Sequence, residues 1–296
     1  MFKGIYTPMI TIFDETGGID KASNGKLIEK LIEDGVDGIV LMGSIGEFFT
    51  LSLEEKKEFL KFAIKVIDKR TKIMVGTGSN DVQEVIELNQ YVYELGADAV
   101  LVICPYFFSL GDHSLYEYYQ KIAIESSLPI LLYNFPERTS INMSVELVSR
   151  LAKEFDNIVG IKDSTVAFGN TRKYIEAVKK VKDDFCVFSG FDECLLPNLL
   201  SGGAGIIGGL SNFAAELFTS AYKAYQDGNL AKLIVFQEKI NELMAIYDLS
   251  NPFILAIKEA VSKTLGHQFN TSLRSSDIKL IDSQKLILDE LIRDYK

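Results

Sequence analysis

Several features that mark particular classes of protein are missing from this chain. It has no run of about 20 apolar residues, which excludes a helix that spans a bilayer. Its three cysteines form no C-x-x-C pair, and its two histidines, His113 and His267, lie far apart in the sequence. We therefore expect reduced thiols and no metal site. Solvated loop or helix-end positions are expected for both histidines.

Positive charge is also scarce. The 296 residues include 31 Lys and Arg against 41 Asp and Glu, which gives a net charge of −10. Nucleic acids and anionic membranes bind cationic surfaces, so neither is expected as a partner. The N-terminal residues MFKGIYTPMI lack the basic segment and the apolar run of a secretory signal. Together with the cysteine usage, this indicates a cytoplasmic protein.

What the chain does contain is a regular alternation of short apolar runs and amphipathic stretches. The runs are rich in β-branched residues, which is typical of parallel strands buried on both faces. Ser52 followed by Glu55 predicts a capped helix that extends to Ile67. Gly35 and Gly96 stand where helices should end. The eight apolar runs cover residues 4–11, 38–42, 72–75, 99–103, 130–133, 158–161, 186–188 and 205–207.

This alternation predicts an α/β fold, either a (β/α)8 TIM barrel or a large doubly wound sheet. The regular spacing and the absence of a break in composition favour the barrel, over residues 1–226. Residues 227–296 should form a C-terminal helical region that packs on the barrel or on a neighbouring subunit. Asn251 is the predicted cap of its second helix, and Pro252 the first helical residue. The three predicted helices cover residues 230–247, 252–265 and 283–294.

Chemistry in such barrels takes place at the C-terminal ends of the strands. Lys162 follows the apolar run 158–161, so its side chain should start inside the barrel. A buried lysine without a carboxylate partner loses its charge, and the neutral amine attacks carbonyl groups. The alternatives are an ion pair with Asp163 or an amine that reaches water. Tyr133, at the end of the adjacent strand, is placed either to move protons or to fill the core.

A tight turn, Gly-Ser-Ile-Gly at residues 43–46, follows the second strand. Successive backbone N–H groups in such a turn can hold an anion, here a carboxylate, and the Ser44 hydroxyl adds a donor or a step in a proton relay. A plain turn is the alternative. The G-x-G-x-x-G match at residues 203–208 contains a strand within it, which argues against a dinucleotide site. A phosphate site at the glycines after strands seven and eight remains open.

Four motifs, in this order and spacing, resemble the dihydrodipicolinate synthase / N-acetylneuraminate lyase family of class I aldolases. The resemblance covers essentially the whole chain. The motifs are GSIGE at 43–47, YNFP at 133–136, GIKDS at 160–164 and SGFDE at 189–193.

The resemblance implies that Lys162 forms a Schiff base with the keto carbon of pyruvate or a pyruvate-derived 2-keto acid. It makes Tyr133 the acid/base, and it assigns the substrate carboxylate to the N–H groups of Ser44 and Ile45. Because the protonated imine is itself an electron sink, no cofactor is expected. The family pattern also implies a homotetramer. Two further residues implied to line the pocket are Gly190 and Ser211.

Some positions resemble the synthases of the family and others depart from them. Arg138 matches the arginine that holds the carboxylate of the aldehyde substrate in synthases. Synthases usually have threonine where this chain has Ile45, and a second tyrosine where it has Phe107. Tyr106 is retained. The proton relay of a synthase is therefore incomplete in this sequence.

Other positions resemble enzymes that act on sugar acids. Asp192 and Glu193 look like the pair found in lyases and aldolases for polyhydroxylated substrates, and residues 251–260 resemble the 2-keto-3-deoxygluconate aldolase branch. We therefore predict a carbon–carbon lyase that reversibly cleaves a 2-keto-3-deoxy sugar acid to pyruvate and an aldehyde. The alternatives are dihydrodipicolinate synthase, which condenses pyruvate with aspartate semialdehyde, N-acetylneuraminate lyase, and a non-catalytic barrel that binds a keto acid.

Overall fold

The computed structural model describes residues 2–295 of the chain. Eight strands pair in chain order and close into a parallel barrel, so the predicted (β/α)8 fold is confirmed. All eight predicted strands are present, with small differences at their ends. They are β1 (Gly4–Pro8), β2 (Gly38–Leu41), β3 (Lys72–Gly76), β4 (Ala99–Ile103), β5 (Ile130–Asn134), β6 (Ile158–Asp163), β7 (Cys186–Ser189) and β8 (Gly205–Ile207).

Helices alternate with the strands and continue beyond the last one. They are α1 (Lys21–Glu33), α2 (Leu53–Ile67), α3 (Val82–Leu95), α4 (Asp112–Glu125), α5 (Pro136–Thr139), α6 (Val145–Glu154), α7 (Phe168–Val178), α8 (Leu195–Leu200), α9 (Ser211–Gln226), α10 (Leu230–Leu243), α11 (Ile254–Thr264) and α12 (Asp282–Leu291). Short 3-10 turns cover Ser44–Gly46, Phe48–Thr50, Asp192–Cys194, Met244–Asp248 and Arg293–Tyr295. No helix in the described part of the chain is long and apolar enough to cross a membrane.

The helix ends follow local signals in the sequence. The Ser52 hydroxyl accepts the N–H of Glu55 at 3.3 Å, and the Glu55 carboxylate accepts the N–H of Ser52 at 2.9 Å. This is the predicted capping box, and it begins α2. Gly96 ends α3 in the left-handed region, with φ of 89°, and Gly35 follows the end of α1 with φ of 77°. Both glycines therefore stop helices, as predicted.

The pairing of β5 with β6 places the residues of greatest interest side by side. Every residue of β5 is buried, and Tyr133 lies opposite Lys162 in the register of the two strands. Strand β6 extends to Asp163, so Lys162 lies within the strand rather than after it. A residue inside a strand has its backbone held by both neighbouring strands, which fixes the direction of its side chain.

Contacts group the chain into two compact units. The first unit contains Lys72–Ile207 with the N-terminal residues up to Gly4, and thus β3 to β8. The second contains Ile5–Thr71 with the residues from Gly208 onwards. In the second unit, α10 and α11 pack against α9. The grouping does not test the predicted domain boundary between residues 226 and 227, which stays a prediction.

One detail of the C-terminal helices was predicted wrongly. Helix α11 begins at Ile254 with Phe253 at its N-cap position, and the Asn251–Pro252 peptide is cis. Asn251 is therefore not the cap, and Pro252 is not the first helical residue. Ser250 supplies the side-chain oxygen instead, because its hydroxyl accepts the N–H of Ala256 at 3.2 Å. An N-terminal N–H of a helix needs such an acceptor, and serine is a common source.

Candidate active site

Lys162 and Tyr133 form a buried pair in the first unit. Their side chains are 5% and 4% exposed, and the Lys162 Nζ lies 4.4 Å from the centroid of the Tyr133 ring. The two residues sit opposite each other at the carboxyl ends of β5 and β6, where barrel chemistry takes place. The structure thus brings together the two residues to which the sequence assigned the central chemical roles.

The carboxylate of Asp163 is occupied by partners other than Lys162. Its oxygens accept hydrogen bonds from the Asn134 amide at 2.8 Å and from the Thr171 hydroxyl at 2.6 Å. The Thr165 hydroxyl donates to it as well, at 2.9 Å. Side chains of successive strand residues point to opposite faces, which separates Asp163 from Lys162. The alternative of an ion pair between Lys162 and Asp163 is therefore wrong.

Gly190 lies directly beside Lys162. Its N–H donates to the carbonyl of Asp163 at 2.8 Å, so the loop after β7 is fixed to the end of β6. A Cβ atom at Gly190 would stand 3.0 Å from the Cε of Lys162 and 1.9 Å from the Oγ of Ser164. Any larger residue would thus displace Ser164 and crowd the lysine. The missing side chain leaves room for the Lys162 amine.

Arg138 and Phe135 extend this group of residues toward the surface. Phe135 stacks on Tyr133 with ring centroids 5.7 Å apart, and the Arg138 guanidinium lies 5.4 Å from the Phe135 ring. Arg138 belongs to the short helix α5 and is exposed. An exposed guanidinium keeps its hydrogen-bond donors available to an anion.

The loop after β4 carries Tyr106 and two exposed aromatic residues. Tyr106 is half-buried, its N–H donates to the Asn80 side chain at 2.8 Å, and burial raises the pKa of its phenol. Phe107 has a positive φ of 89° and is 85% exposed, and Phe108 is 75% exposed. Their rings touch edge to face, with centroids 5.0 Å apart. A phenylalanine with positive φ is uncommon, so this loop has a defined and unusual shape.

Asp192 and Glu193 begin the 3-10 turn that follows β7. Asp192 is fully buried, and Glu193 is half-buried. Burial raises the pKa of the Glu193 carboxyl. Burial together with these two carboxylates raises the pKa of the Cys194 thiol to about 12, which keeps this cysteine protonated and unreactive.

In the second unit, residues 43–47 form the predicted turn. Ser44–Gly46 is a 3-10 turn in which the N–H of Gly46 donates to the Gly43 carbonyl at 3.0 Å and that of Glu47 to the Ser44 carbonyl at 3.1 Å. Ser44 is half-buried and Ile45 is buried. The N–H groups of Ser44 and Ile45 are the first two of this turn. The assignment of the substrate carboxylate to them stays a prediction.

Ser211 is the first residue of α9 and is fully buried, with its hydroxyl donating to the Gly208 carbonyl at 2.7 Å. Nearby, a Cβ atom at Gly209 would stand 3.1 Å from the Cδ1 of Ile45 and 2.5 Å from the hydroxyl of Tyr247. The structure therefore brings Ile45 close to the segment between β8 and α9. Nothing in the sequence singled out Tyr247 beyond its place in a helical pattern.

Glu47 and Lys258 form a buried ion pair. The sequence analysis did not predict that these two residues are partners. Glu47 is 1% exposed and Lys258 is 0% exposed. The signal lay in α11, where Lys258 stands at helical spacing from Ile254 and Val261, on the apolar face of the helix. A lysine on such a face requires a partner, but its identity depends on the fold.

The histidines and cysteines occupy positions without evident chemistry. His113 is exposed in the first turn of α4, and the ring of His267 contacts the Ser23 hydroxyl and the Lys26 amine. All three cysteines are buried and unpaired by disulfides. Across residues 2–295, no group of three or more His, Cys, Asp or Glu side chains is arranged to hold a metal ion.

Comparisons with known proteins agree with this architecture. Residues 1–293 match the model of the dihydrodipicolinate synthetase family. A putative 2-dehydro-3-deoxy-D-gluconate aldolase of Escherichia coli, YagE, is 36% identical over 296 residues, which is 100% of this chain and 98% of the relative. A 4-hydroxy-tetrahydrodipicolinate synthase of Syntrophus aciditrophicus is 38% identical over 296 residues, covering 100% and 99% of the two chains.

Solved structures give the same result. The crystal structure of YagE in complex with pyruvate superposes with a TM-score of 0.96 at 36% identity, covering 100% of this chain and 99% of the other. A probable 2-dehydro-3-deoxy-D-pentonate aldolase of Escherichia coli, YjhH, is 38% identical over 257 residues, 87% of this chain and 85% of the relative. The resemblance drawn from the four motifs is confirmed: the chain belongs to the dihydrodipicolinate synthetase family, whose members are lyases and aldolases.

Proposed function

We propose that this enzyme forms a Schiff base between Lys162 and the keto carbon of pyruvate or a pyruvate-derived 2-keto acid. The observation that carries the proposal is the environment of Lys162. The lysine is buried, its Nζ lies over the Tyr133 ring, and the adjacent carboxylate of Asp163 is held by other side chains. A desolvated amine of this kind is a nucleophile for carbonyl carbons. The pyruvate complex of YagE supports pyruvate as the ligand.

In the cleavage direction, the Lys162 amine attacks C2 of the 2-keto acid, and the carbinolamine loses water to give a protonated imine. Tyr133 donates the proton that leaves with the water, and its phenolate then accepts the proton of the C4 hydroxyl. The C3–C4 bond breaks, and its electron pair enters the imine to form an enamine while the aldehyde departs. Protonation at C3 and addition of water release pyruvate and restore Lys162. The imine itself takes up the electron pair, so we propose no cofactor.

The carboxylate of the keto acid is assigned to the turn at residues 43–47. The N–H groups of Ser44 and Ile45 head a 3-10 turn, and such groups bind anions. The Ser44 hydroxyl adds a further donor or a step in the proton relay to Tyr133. Gly190 has no side chain, and this leaves space beside Lys162. Ser211 and Tyr106 are assigned to the walls of the pocket.

For the substrate we favour a 2-keto-3-deoxy sugar acid such as 2-keto-3-deoxygluconate. Its hydroxyl groups need several polar partners, and Asp192, Glu193 and Ser211 are the candidates. Asp192 and Ser211 are both buried polar residues, and they follow the ends of β7 and β8. The names of YagE and YjhH as 2-dehydro-3-deoxy sugar acid aldolases support the same choice.

One observation favours a second candidate, dihydrodipicolinate synthase. The Arg138 guanidinium rests on Phe135, which in turn stacks on Tyr133. This places a cation beyond the acid/base, as a substrate with a second carboxylate requires. The synthase of Syntrophus aciditrophicus is also among the relatives. Against this candidate, Phe107 has no hydroxyl to complete a relay.

We also propose a cytoplasmic homotetramer. Phe107 and Phe108 expose most of their rings at the tip of one loop. Two adjacent exposed aromatic side chains are typical of a surface that contacts another chain. Sedimentation velocity of the purified protein tests the oligomeric state, and a monomer at micromolar concentration contradicts it.

Two measurements test the proposed function. Borohydride with pyruvate should attach one reduced pyruvate to Lys162, located by peptide mass spectrometry. The ratio of kcat/KM values for 2-keto-3-deoxygluconate cleavage and for aspartate semialdehyde condensation should exceed about tenfold in favour of cleavage, with N-acetylneuraminate assayed in parallel. Condensation that is tenfold faster, and that Arg138→Ala abolishes while Arg172→Ala does not, identifies the synthase instead. Keto-acid binding without turnover identifies the non-catalytic barrel.

A further inference from the structure

The backbone of Glu47 is held in an uncommon conformation at the end of the anion-binding turn. Its φ and ψ are 55° and 33°, in the left-handed region, and its N–H donates to the Ser44 carbonyl at 3.1 Å. Its own carbonyl accepts the N–H and the hydroxyl of Thr50, both at 2.9 Å. A residue other than glycine adopts this region at a cost in free energy, so contacts of its side chain must keep it there.

Those contacts come from the C-terminal part of the chain. One oxygen of the Glu47 carboxylate accepts the Lys258 ammonium, and the other accepts the backbone N–H of Arg274 at 3.0 Å. The Lys258 Nζ also donates to the Ser272 carbonyl at 2.9 Å and lies 4.9 Å from the Phe13 ring. Glu47 and Lys258 are thus both buried and both engaged by hydrogen bonds from two sides.

Arg274 extends the same network to the segments on either side of the turn. Its guanidinium donates to the Gly17 carbonyl at 3.1 Å and to the Thr50 carbonyl at 2.6 Å. It also binds both oxygens of Glu55, the residue that completes the capping box of α2. The turn is therefore clamped from its C-terminal side by a connected set of charged groups.

Stability alone does not explain a fully buried ion pair. Desolvation of the two charges offsets much of their attraction, and an apolar pair of similar volume is often as stable or more so. An ion pair with hydrogen bonds has a preferred geometry. It therefore fixes the position of the Glu47 carboxylate, and with it the position of the Glu47 backbone. The backbone it fixes is the one that carries the N–H groups of Ser44 and Ile45.

We infer that Glu47 and Lys258 are positioning residues for substrate binding: their ion pair holds the Ser44–Ile45 turn in the shape that binds the keto-acid carboxylate. This inference rests on the proposed function, which assigns the carboxylate to that turn. Through Lys258 and Arg274, the C-terminal helical region then determines affinity for the keto acid, and Lys162 carries the chemistry.

The test compares pyruvate binding in four proteins: the wild type, Lys258→Met, the double variant Glu47→Gln with Lys258→Met, and Lys263→Met. The pyruvate concentration that gives half-maximal borohydride inactivation reports binding, and urea unfolding reports stability. Lys263 lies on the same helix and pairs with Asp289 at 3.1 Å, away from the turn, so it is the matched control.

We expect the half-saturating concentration to rise by about tenfold or more in both Lys258 variants, since a small displacement of a binding group costs this much or more. The maximal rate of inactivation should change by less than about threefold, because Lys162 is untouched. The double variant should unfold at a higher urea concentration than Lys258→Met, since it leaves no buried carboxylate without its cation. Lys263→Met should resemble the wild type.

Each outcome bears on a separate claim. A folded double variant with the half-saturation of the wild type overturns the positioning role, and so does an equal change in Lys263→Met. Wild-type protein that is not labelled at Lys162 overturns the proposed function and this inference together. Weaker pyruvate binding in the double variant, with stability restored, supports the positioning role, because a general loss of structure would weaken both.

Discussion

Two lysines of this protein are buried to nearly the same extent but have opposite surroundings. Lys258 lies between a carboxylate, a backbone carbonyl and the Phe13 ring, and Lys162 lies over the Tyr133 ring. Burial lowers the pKa of Lys258, and the carboxylate of Glu47 opposes that shift. The carboxylate beside Lys162 in the sequence, Asp163, is held by Asn134 and Thr171.

The comparison separates burial from pairing. A buried ammonium with a carboxylate and a carbonyl as acceptors is a fixed structural cation, because these two hydrogen bonds and the charge of the carboxylate hold it in place. The Lys162 nitrogen lies against an aromatic face instead of a carboxylate, and in its deprotonated form such an amine can attack a carbonyl carbon. This difference agrees with the proposed roles, in which Lys258 positions the turn and Lys162 carries the chemistry, although both are buried.

The largest expected effect tests this division directly. Lys162→Ala should lower kcat/KM by at least about three orders of magnitude, because nucleophile and electron sink disappear together. Borohydride with pyruvate should label Lys162 in the wild type and leave Lys258 unlabelled, which peptide mass spectrometry can show. Label on Lys258 would reverse the two roles.

Stability should respond in the opposite way. Lys258→Met should lower the free energy of unfolding by about 3–5 kcal/mol, because it leaves the Glu47 carboxylate buried without its cation. Lys162→Met removes an amine that no carboxylate needs, so its free energy of unfolding should equal or exceed that of the wild type. Urea unfolding followed by circular dichroism gives both values. Equal losses in the two variants contradict the comparison.

Tyr133→Phe tests the hydroxyl of the aromatic residue that lies beside Lys162. The ring and its contact with Lys162 remain, but the hydroxyl that we propose as the acid/base is lost, so kcat should fall by about two orders of magnitude. Tyr119→Phe is the control, since it removes another buried tyrosine hydroxyl, one that donates to the Val102 carbonyl, and kcat should stay near that of the wild type. If both variants retain activity, Tyr133 is part of the core and nothing more.

The smallest effect concerns the outer part of the Lys258 network. The hydrogen bond from Arg274 lowers the pKa of Glu55 from its ordinary value of 4.5 to about 2. A depressed carboxyl pKa contributes stability that is present above pH 4.5 and is lost as the pH falls toward 2. Glu55→Gln should therefore flatten the loss of stability in this range, by no more than about 1 kcal/mol because the pair is partly exposed.

Urea midpoints at pH 6, 4 and 3 compare this variant with the wild type. An unchanged pH dependence would show that the Arg274–Glu55 pair contributes nothing in solution. If Glu55→Gln changed the free energy of unfolding more than Lys258→Met does, Glu55 instead of Glu47 would make the main contact that holds the turn.

The parts of the fold that the sequence predicted are those with local causes. The strands followed from apolar runs, and α2 followed from Ser52 and Glu55, which are three positions apart. Lys162 and Tyr133 could be placed together because consecutive strands of a parallel barrel are neighbours. Each of these inferences needed only residues close in the sequence or adjacent in the order of the strands.

The parts that the sequence did not predict depend on distant partners. Glu47 and Lys258 are 211 positions apart, and no pattern in either segment names the other. The prediction that Asn251 caps α11 was wrong because the helix begins later, at Ile254, and the path of the chain brings the Ser250 hydroxyl to the N–H of Ala256. The pairing of Asp163 with Asn134 and Thr171 likewise depends on which face of β6 each residue occupies.

The ion pair between Glu47 and Lys258 also has a consequence for the order in which the protein is made. Ribosomes synthesise the turn at residues 43–47 more than 200 residues before its two partners. During that interval the Glu47 carboxylate remains in water, because burial of a charge without its partner costs free energy. If the turn binds the keto-acid carboxylate as proposed, a nascent chain that already contains Lys162 still lacks the contacts that hold this turn in shape. The ability to capture a keto acid should arise only when the segment around Arg274 has left the exit tunnel.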